Sequence, residues 1–200
     1  PLFSNFIVEA AGRPNASPLS SSSINLFQIE PEFALVMAED VKPRADGLPH
    51  TADDVWAAVA SVVLCIECCG RRGTKEVAAT IPNKLGRFND ALCAGGVVLG
   101  ERRAAKYFNA DSLKAAQTEL VVNGEIVVTG SGAALPFDGD VKEELAWLAN
   151  HLEARGLGLE AGMVIATGQT CAYNGELKEG DEVVARFEPA LGEVRMTIEA

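Results

Sequence analysis

The chain has 200 residues and is 48% hydrophobic, which is enough for one sizeable core and typical of a single globular domain. Its formal net charge is −11, and a surface this acidic repels phosphate backbones, so the composition argues against a nucleic-acid partner. No apolar run reaches the roughly 18 residues that cross a bilayer, and Pro1–Gly12 lacks the basic start and long apolar core of a signal peptide.

The cysteine pattern is not that of a secreted disulfide framework, because there are five cysteines and Cys68 and Cys69 are adjacent. Cys65 and Cys68 have a metal-like spacing, but no second pair or nearby histidine completes a zinc site. Buried structural thiols are therefore favoured over a zinc or redox role. The thiol usage and the missing targeting signals together predict a cytoplasmic protein.

The first elements along the chain are two loops around an extended stretch. Pro14–Ser23 is rich in Ser and Pro and predicts a loop, and Lys42–His50 predicts a turn-rich surface loop. Between them, Ile24–Met37 is extended and ends in an apolar run of strand length.

A helix is predicted to begin at Thr51, because Thr51 and Asp54 have the spacing of a capping box. Its apolar stripe at helical spacing is Trp56, Val59, Ala60 and Val63. Val62–Cys69 is apolar and β-branched except for Glu67, and predicts a buried strand that continues from the helix. The following stretch, Glu76–Gly95, predicts mainly loops.

The second half of the chain predicts short strands and one long helix. Val97–Leu99 is a short strand, and Leu120–Val128 is a hairpin around Asn123 and Gly124, which suit the positive φ angles of a type I′ turn. Asp140 is the predicted cap of a helix from Val141 to Arg155 that stops at Gly156.

Three further strands are predicted at Met163–Thr167, Glu182–Phe187 and Val194–Ile198, with Gly192 in the last hairpin turn. Strands dominate, and the helices do not alternate regularly with them, which excludes a doubly wound fold. The pattern favours an α+β fold, a mixed and mainly antiparallel β architecture with flanking helices.

Three glutamates are the candidate chemical groups. Glu30 and Glu32 are two residues apart in a predicted strand, so their side chains share a face with Cα atoms roughly 6–7 Å apart. Glu67 is the only charged residue in its apolar run, and a buried unpaired carboxylate is costly. A divalent cation such as Mg²⁺ would remove that cost and would offset the repulsion between this acidic protein and an anionic substrate.

An ordinary structural interpretation of the same residues stays open on spacing alone. Glu30 and Glu32 could be solvated on an edge strand, while Glu67 pairs with Arg71 or Arg72. The two histidines, His50 in a polar loop and His151 on an amphipathic helix, have no catalytic setting, so Ser-His-Asp and Cys-His chemistry are poorly supported.

Several ordered segments resemble one enzyme family. Ile29–Val36 followed by Cys65–Arg72 looks like the 2-keto-4-pentenoate hydratase group of the fumarylacetoacetate hydrolase superfamily. The resemblance extends over almost the whole chain and depends on the order and spacing of several motifs. The later matching segments are Val122–Gly130, Leu145–Asn150, Gly156–Leu159, Gly162–Gly168, Gly180–Asp181 and Gly192–Val194.

The resemblance implies a mixed β-roll like the C-terminal domain of fumarylacetoacetate hydrolase. It implies Mg²⁺ or Mn²⁺ held by Glu30, Glu32 and Glu67 against a small 2-oxo or 2-hydroxydienoic acid, whose enolate the metal stabilises. The implied reaction is that of a hydratase, a lyase of aromatic catabolism, with a 2-oxo-acid decarboxylase or a C–C bond hydrolase as the alternative. It also implies a homo-oligomer, a dimer or larger.

Four further residues gain candidate roles from the resemblance. Thr167 and Gly168 match a strand-end motif and are implied to contact substrate through a hydroxyl and a close backbone approach. Arg72 matches an arginine that follows the third glutamate, and Asp90 an acidic residue that precedes a Gly-rich strand; both are catalytic candidates. The pattern departs from the family at Ala91, where an asparagine is expected.

The family also has an upstream segment with a lysine in a K-I-G-type motif that serves acid–base chemistry. No lysine here has that context, since Lys75 and Lys84 lie in an unmatched stretch. The expectation is therefore one catalytic-type domain over residues 1–200 that lacks the segment. The non-enzymatic alternative is a truncated relative that binds a metal or a partner protein without turnover.

Overall fold

Two antiparallel strands of 12 residues each, β2 and β3, form the centre of the larger sheet. The computed structural model describes residues 7–9, 25–71, 91–188 and 191–199. The strands are β1 (Ile7–Glu9), β2 (Leu26–Met37), β3 (Val59–Gly70), β4 (Ala94–Ala104), β5 (Gln117–Val122), β6 (Glu125–Ser131), β7 (Val164–Gln169), β8 (Glu182–Phe187) and β9 (Gly192–Thr197). The helices are α1 (Ala52–Trp56), α2 (Ala110–Ala115) and α3 (Val141–Glu153).

These strands form two sheets. The larger sheet has the order β1-β4-β3-β2-β7, and the smaller has the order β6-β5-β8-β9. The pair β1–β4 is parallel, and the other pairs described are antiparallel. The prediction of a mixed and mainly antiparallel α+β fold is therefore confirmed.

The main core lies between the two sheets, because β2 and β3 turn alternate side chains toward the smaller sheet. Phe33 of β2 is fully buried, and its ring centroid lies 5.3 Å from that of Phe187 on β8. Cys68 of β3 points the same way, with its sulfur 3.7 Å from the sulfur of Met196 on β9. Helix α3 closes this core with Val141, Leu145 and Ala149.

The predicted local signals in the second half are confirmed. Asn123 and Gly124 have φ angles of 50° and 85° and join β5 to β6. Asp140 accepts hydrogen bonds from the backbone N–H groups of Lys142 and Glu143 and caps α3. Three short 3₁₀ turns follow β4 or β6, at Ala105–Tyr107, Gly132–Ala134 and Phe137–Gly139, and another, at Ala91–Cys93, precedes β4.

The helix predicted from Thr51 is correct at its start and wrong in its length. Thr51 and Asp54 form the capping box, but α1 ends at Trp56 and the chain enters β3 at Val59. A spacing of four residues satisfies a two-residue period as well as a helical one, and the β-branched residues there favour the strand. The strand at Val97–Leu99 is longer than predicted, and α2, capped by Asn109, was missed because it buries only Leu113.

The predicted surface loop Lys42–His50 is not exposed at its last residue. His50 is buried, and its Nε2 lies 3.0 Å from a carboxylate oxygen of Glu153 on α3. Within the described ranges, no helix is long and apolar enough to span a membrane. The predicted loop Pro14–Ser23, most of Glu76–Gly95, and both Arg72 and Asp90 lie outside the described residues.

The packing predicts that Phe33 is the residue between the two sheets whose truncation destabilises the fold most. We expect Phe33→Ala to lower the free energy of unfolding by about 3–5 kcal/mol, because it removes a buried ring and leaves a cavity. Urea denaturation, monitored by circular dichroism, measures this change in the free energy of unfolding. Ile126→Ala on β6 is the control, since Ile126 is 55% exposed and its loss should change the value by less than about 0.5 kcal/mol. Equal effects of the two substitutions would contradict this account of the core.

Candidate metal centre

The second face of the larger sheet carries the three candidate glutamates. Because side chains alternate along a strand, Glu30 and Glu32 point away from the main core that receives Ile29 and Phe33. In the register between β2 and β3, Glu30 lies directly opposite Glu67. The three carboxylates therefore converge because of strand alternation and one pairing register.

A fourth potential ligand belongs to the same cluster. One ligand atom each from Glu30, Glu67 and Cys69 lies within 4.8 Å of the others. Cys69 is 6% exposed and stands two residues beyond Glu67 on β3, so the two share a face. Its neighbour Cys68 points into the main core. Sequence reasoning treated the cysteines as structural and missed this one, although the two-residue spacing from Glu67 was a usable signal.

Glu32 is the most deeply buried of the carboxylates, with 1% of its surface exposed. Its Oε2 accepts a hydrogen bond of 3.0 Å from the backbone N–H of Gly168. Gly168 has a φ angle of +94°, a conformation that glycine adopts without strain, and Pro136 lies 3.5 Å from where a Cβ would be. The predicted close backbone approach of Gly168 is thus made to Glu32, while contact with substrate stays a prediction.

The carboxylates raise one another's affinity for protons. Burial, followed by the charge of Glu67, raises the pKa of Glu32 to about 9. Burial is also the main cause of the raised pKa values of Glu30 and Glu67, and the charge of Glu30 adds to that of Glu67. Because the neighbouring carboxylate charges oppose ionisation, the cluster keeps a proton more readily unless a cation lies among the carboxylates.

The structure contradicts two parts of the ordinary structural interpretation of the glutamates, the edge strand and the pairing with Arg71, while a pairing of Glu67 with Arg72 lies outside the described residues. β2 is flanked by β3 and β7, so Glu30 and Glu32 do not lie on an edge strand. The guanidinium of Arg71 lies over the ring of Phe27, 4.5 Å from its centroid, instead of beside Glu67. Glu30 accepts a hydrogen bond from the side-chain amide of Gln28, a neutral group that leaves its charge in place.

Two threonines attach the end of β7 to the strand that carries the glutamates. The hydroxyl of Thr167, which is 3% exposed, donates to the carbonyl of Phe33 at 3.1 Å. Thr170 donates both its hydroxyl, at 2.8 Å, and its backbone N–H, at 2.9 Å, to the carbonyl of Pro31. The proton of Thr167 is therefore engaged within the protein, and a role of this hydroxyl toward substrate stays a prediction. Thr170 was missed by sequence reasoning.

Gly130 of β6 allows β6 to pack closely against Thr170 and Cys171. A Cβ on Gly130 would lie 2.1 Å from the carbonyl oxygen of Thr170 and 2.7 Å from the Cβ of Cys171, distances that no side chain can occupy. The glycine at the end of the Val122–Gly130 motif is thus explained by close packing behind the candidate site.

The cluster fits a divalent cation. Three carboxylates on one sheet face, one of them almost fully buried, concentrate negative charge that folding alone leaves costly. Carboxylate oxygens suit Mg²⁺ and Mn²⁺, which combine a few protein ligands with water or substrate oxygens. Arg72 and Asp90 lie outside the described residues, so their catalytic roles stay predictions.

The sequence matches the profile of the fumarylacetoacetate (FAA) hydrolase C-terminal family over residues 8–199. The chain belongs to this family. Among curated proteins, it is 28% identical over 165 residues to 2-hydroxyhexa-2,4-dienoate hydratase of Comamonas testosteroni. That match covers 82% of this chain and 58% of the hydratase.

Solved structures share the fold. The 4-oxalocrotonate decarboxylase of Pseudomonas putida G7, complexed with magnesium and adipate, matches with a TM-score of 0.75 and 24% identity, covering 96% of this chain and 66% of the decarboxylase. Fumarylpyruvate hydrolase of Pseudomonas aeruginosa, in complex with Mn²⁺ and pyruvate, matches with a TM-score of 0.69 and 17% identity, covering 98% and 75%. The chain therefore spans about two thirds or less of the length of the hydratase and the decarboxylase.

The carboxylate cluster predicts that the metal-free protein loses stability as the pH rises. A carboxyl whose pKa is raised in the folded state keeps its proton where the unfolded chain has lost it. For Glu32 this window runs from about pH 4.5 to about 9, and stability falls across it by up to about 1.4 kcal/mol per pH unit for each proton retained. Glu144 on α3, whose burial raises its pKa to about 7, adds to the slope.

Urea denaturation at several pH values, with a chelator present, measures this slope. We expect Glu32→Gln to reduce the slope by removing one titrating group. Glu119→Gln on β5 is the control, since Glu119 is half-exposed and lies outside the cluster, and the substitution should leave the slope unchanged. Stability that rises between pH 5 and pH 9 would contradict the assigned electrostatics.

Proposed function

We propose that the domain binds one divalent cation, Mg²⁺ or Mn²⁺, through Glu30, Glu32 and Glu67 and acts as a metal-dependent hydratase, a lyase, on a small 2-oxo or 2-hydroxydienoic acid. The observation that carries this proposal is the convergence of three carboxylates on one sheet face, with Glu32 almost fully buried. The family match over residues 8–199 supports it.

The chain's own residues position the reaction. The N–H of Gly168 fixes one oxygen of Glu32, and Gln28 fixes one oxygen of Glu30, which restricts how the carboxylates can turn. When bound, the cation supplies a Lewis acid that draws electron density from substrate oxygens and so favours an enolate. The protein must then deliver a proton to carbon; Arg72 and Asp90 are the proposed catalytic groups.

The substrate class is proposed from charge and from the relatives. A protein with a net charge of −11 attracts a small organic anion only where a cation offsets that charge locally. The similar proteins are named for small organic acids: a dienoate for the hydratase and an oxalocrotonate for the decarboxylase. The decarboxylase and the fumarylpyruvate hydrolase were solved with magnesium and with Mn²⁺, respectively.

Two alternatives use the same cluster. The enzymatic alternative is a 2-oxo-acid decarboxylase or a C–C bond hydrolase, supported by the fold that the chain shares with 4-oxalocrotonate decarboxylase, with a TM-score of 0.75, and with fumarylpyruvate hydrolase, with a TM-score of 0.69. A metal-binding relative without turnover is the non-enzymatic alternative. We further propose that the protein acts in the cytoplasm as a homo-oligomer, in the breakdown of aromatic compounds, with Thr167 and Gly168 near the substrate.

The proposal predicts metal binding that depends on the glutamates. In calorimetric titrations with Mg²⁺ and with Mn²⁺, we expect the wild type to bind one ion, and oxalate, a mimic of a 2-oxo acid, to tighten the complex. Glu32→Ala should weaken binding by roughly tenfold or more, because even residues around a metal ligand contribute 10–100-fold. Glu119→Ala is the matched control outside the cluster and should bind as the wild type does.

Activity assays on the same protein samples distinguish the candidate reactions. A hydratase removes the ultraviolet absorbance of a 2-hydroxydienoate without releasing CO₂, a decarboxylase releases CO₂ from an oxalocrotonate, and a C–C hydrolase releases two acids from a diketo acid. Metal binding without any of the three reactions would support the non-catalytic alternative. If the wild type binds neither ion, the glutamates are structural and the proposed function is wrong.

A further inference from the structure

Resting on the proposed function, we infer that Cys69 joins Glu30 and Glu67 as a protein ligand of the metal centre, so that the site takes a divalent ion that accepts sulfur, such as Fe²⁺ or Co²⁺, with more protein ligands than it offers Mg²⁺. The three carboxylates alone do not indicate this ligand. The inference changes the chemistry of the site from an all-oxygen set to a mixed set of oxygen and sulfur.

The position of the thiol supports this inference. In the β2–β3 register, Glu30 lies opposite Glu67, and Cys69 lies opposite Gln28, one step further along the same face. The sulfur of Cys69 and one oxygen from each of Glu30 and Glu67 are all within 4.8 Å of one another. Ligands on opposite sides of an ion with bonds of about 2.1–2.3 Å stand about 4.2–4.6 Å apart. One ion can therefore reach all three groups after only a small adjustment.

The surroundings of the thiol leave it directed at the cluster. Cys69 is nearly buried, and its sulfur lies within 4.8 Å of a carboxylate oxygen of Glu30, a proposed ligand. Its neighbour Cys68 points to the opposite face and contacts Met196. Cys65, which lies opposite Glu32 in the same register, is buried, and its S–H donates to the backbone carbonyl of Glu32 at 3.5 Å.

The chemistry of the ions gives the selectivity. Mg²⁺ prefers oxygen ligands and leaves a thiol protonated, whereas Fe²⁺, Co²⁺ and Zn²⁺ accept sulfur more readily. On binding such an ion, Cys69 loses its S–H proton to solvent as the metal–sulfur bond forms, and no oxidation takes place. With Mg²⁺, we expect Cys69 to keep its proton and the three glutamates to act alone.

The test is a titration of the metal-free protein with Co²⁺ that is monitored by near-ultraviolet absorption. This readout is chosen because a cobalt–thiolate bond gives a charge-transfer band. We expect the band in the wild type and in Cys68→Ala, the control for an adjacent thiol on the other face. It should vanish in Cys69→Ala and in Cys69→Ser, which keeps a hydrogen-bonding group but offers no sulfur. Cys171→Ala should keep the band, although Cys171 feels the charge of Glu30.

Calorimetry on the same variants gives the second readout. We expect Cys69→Ser to weaken Co²⁺ binding by about tenfold or more while Mg²⁺ binding stays within about twofold, and thermal melting of the metal-free variants shows that they are folded. A wild type that binds Mg²⁺ and Co²⁺ without the band overturns this inference and leaves the proposed function standing. Loss of the band only in Cys171→Ala also overturns it, and a wild type that binds no ion overturns both.

Discussion

The pairing of β2 with β3 in one register is the constraint on which the rest of the structure depends. It places Glu30 opposite Glu67 on one face and, on the other face, directs Phe33 and Cys68 into the core between the sheets. A shift of one residue would turn every side chain of β2 to the opposite face and bury the glutamates among apolar residues. The hydrophobic core thus fixes the geometry of the candidate metal centre.

That geometry has an energetic cost that the surrounding structure offsets only in part. Gly168 and Gln28 donate hydrogen bonds to Glu32 and Glu30, but both donors are neutral, and the pKa values of the carboxylates stay raised. Removing one member of such a group leaves less repulsion, so the cluster is a poor device for stability alone. A cation is the simplest group that would make these residues favourable together.

Sequence reasoning was most successful where the signal was local. The turn at Asn123 and the cap at Asp140 each depend on a few adjacent residues, and both were predicted. The pair Glu30 and Glu32 could be placed on one face because strand alternation needs no tertiary information. The prediction for the segment after Trp56 was wrong because the spacing of its apolar residues is compatible with both a helix and a strand. Only pairing with β2 selects the strand.

The contacts that sequence reasoning could not supply are those between β2 and the end of β7, and Pro31 shows why. The N–H and C=O of a strand residue face the same neighbour, and the carbonyl of Pro31 faces Thr170, so its missing N–H also falls on the β7 side. Just beyond Pro31, between Glu32 and Ala34, the register between β2 and β7 shifts, and regular pairing is interrupted. Gly168 lies in this irregularity, and its N–H donates to the side chain of Glu32. The break in pairing between β2 and β7 is therefore part of how Glu32 is held.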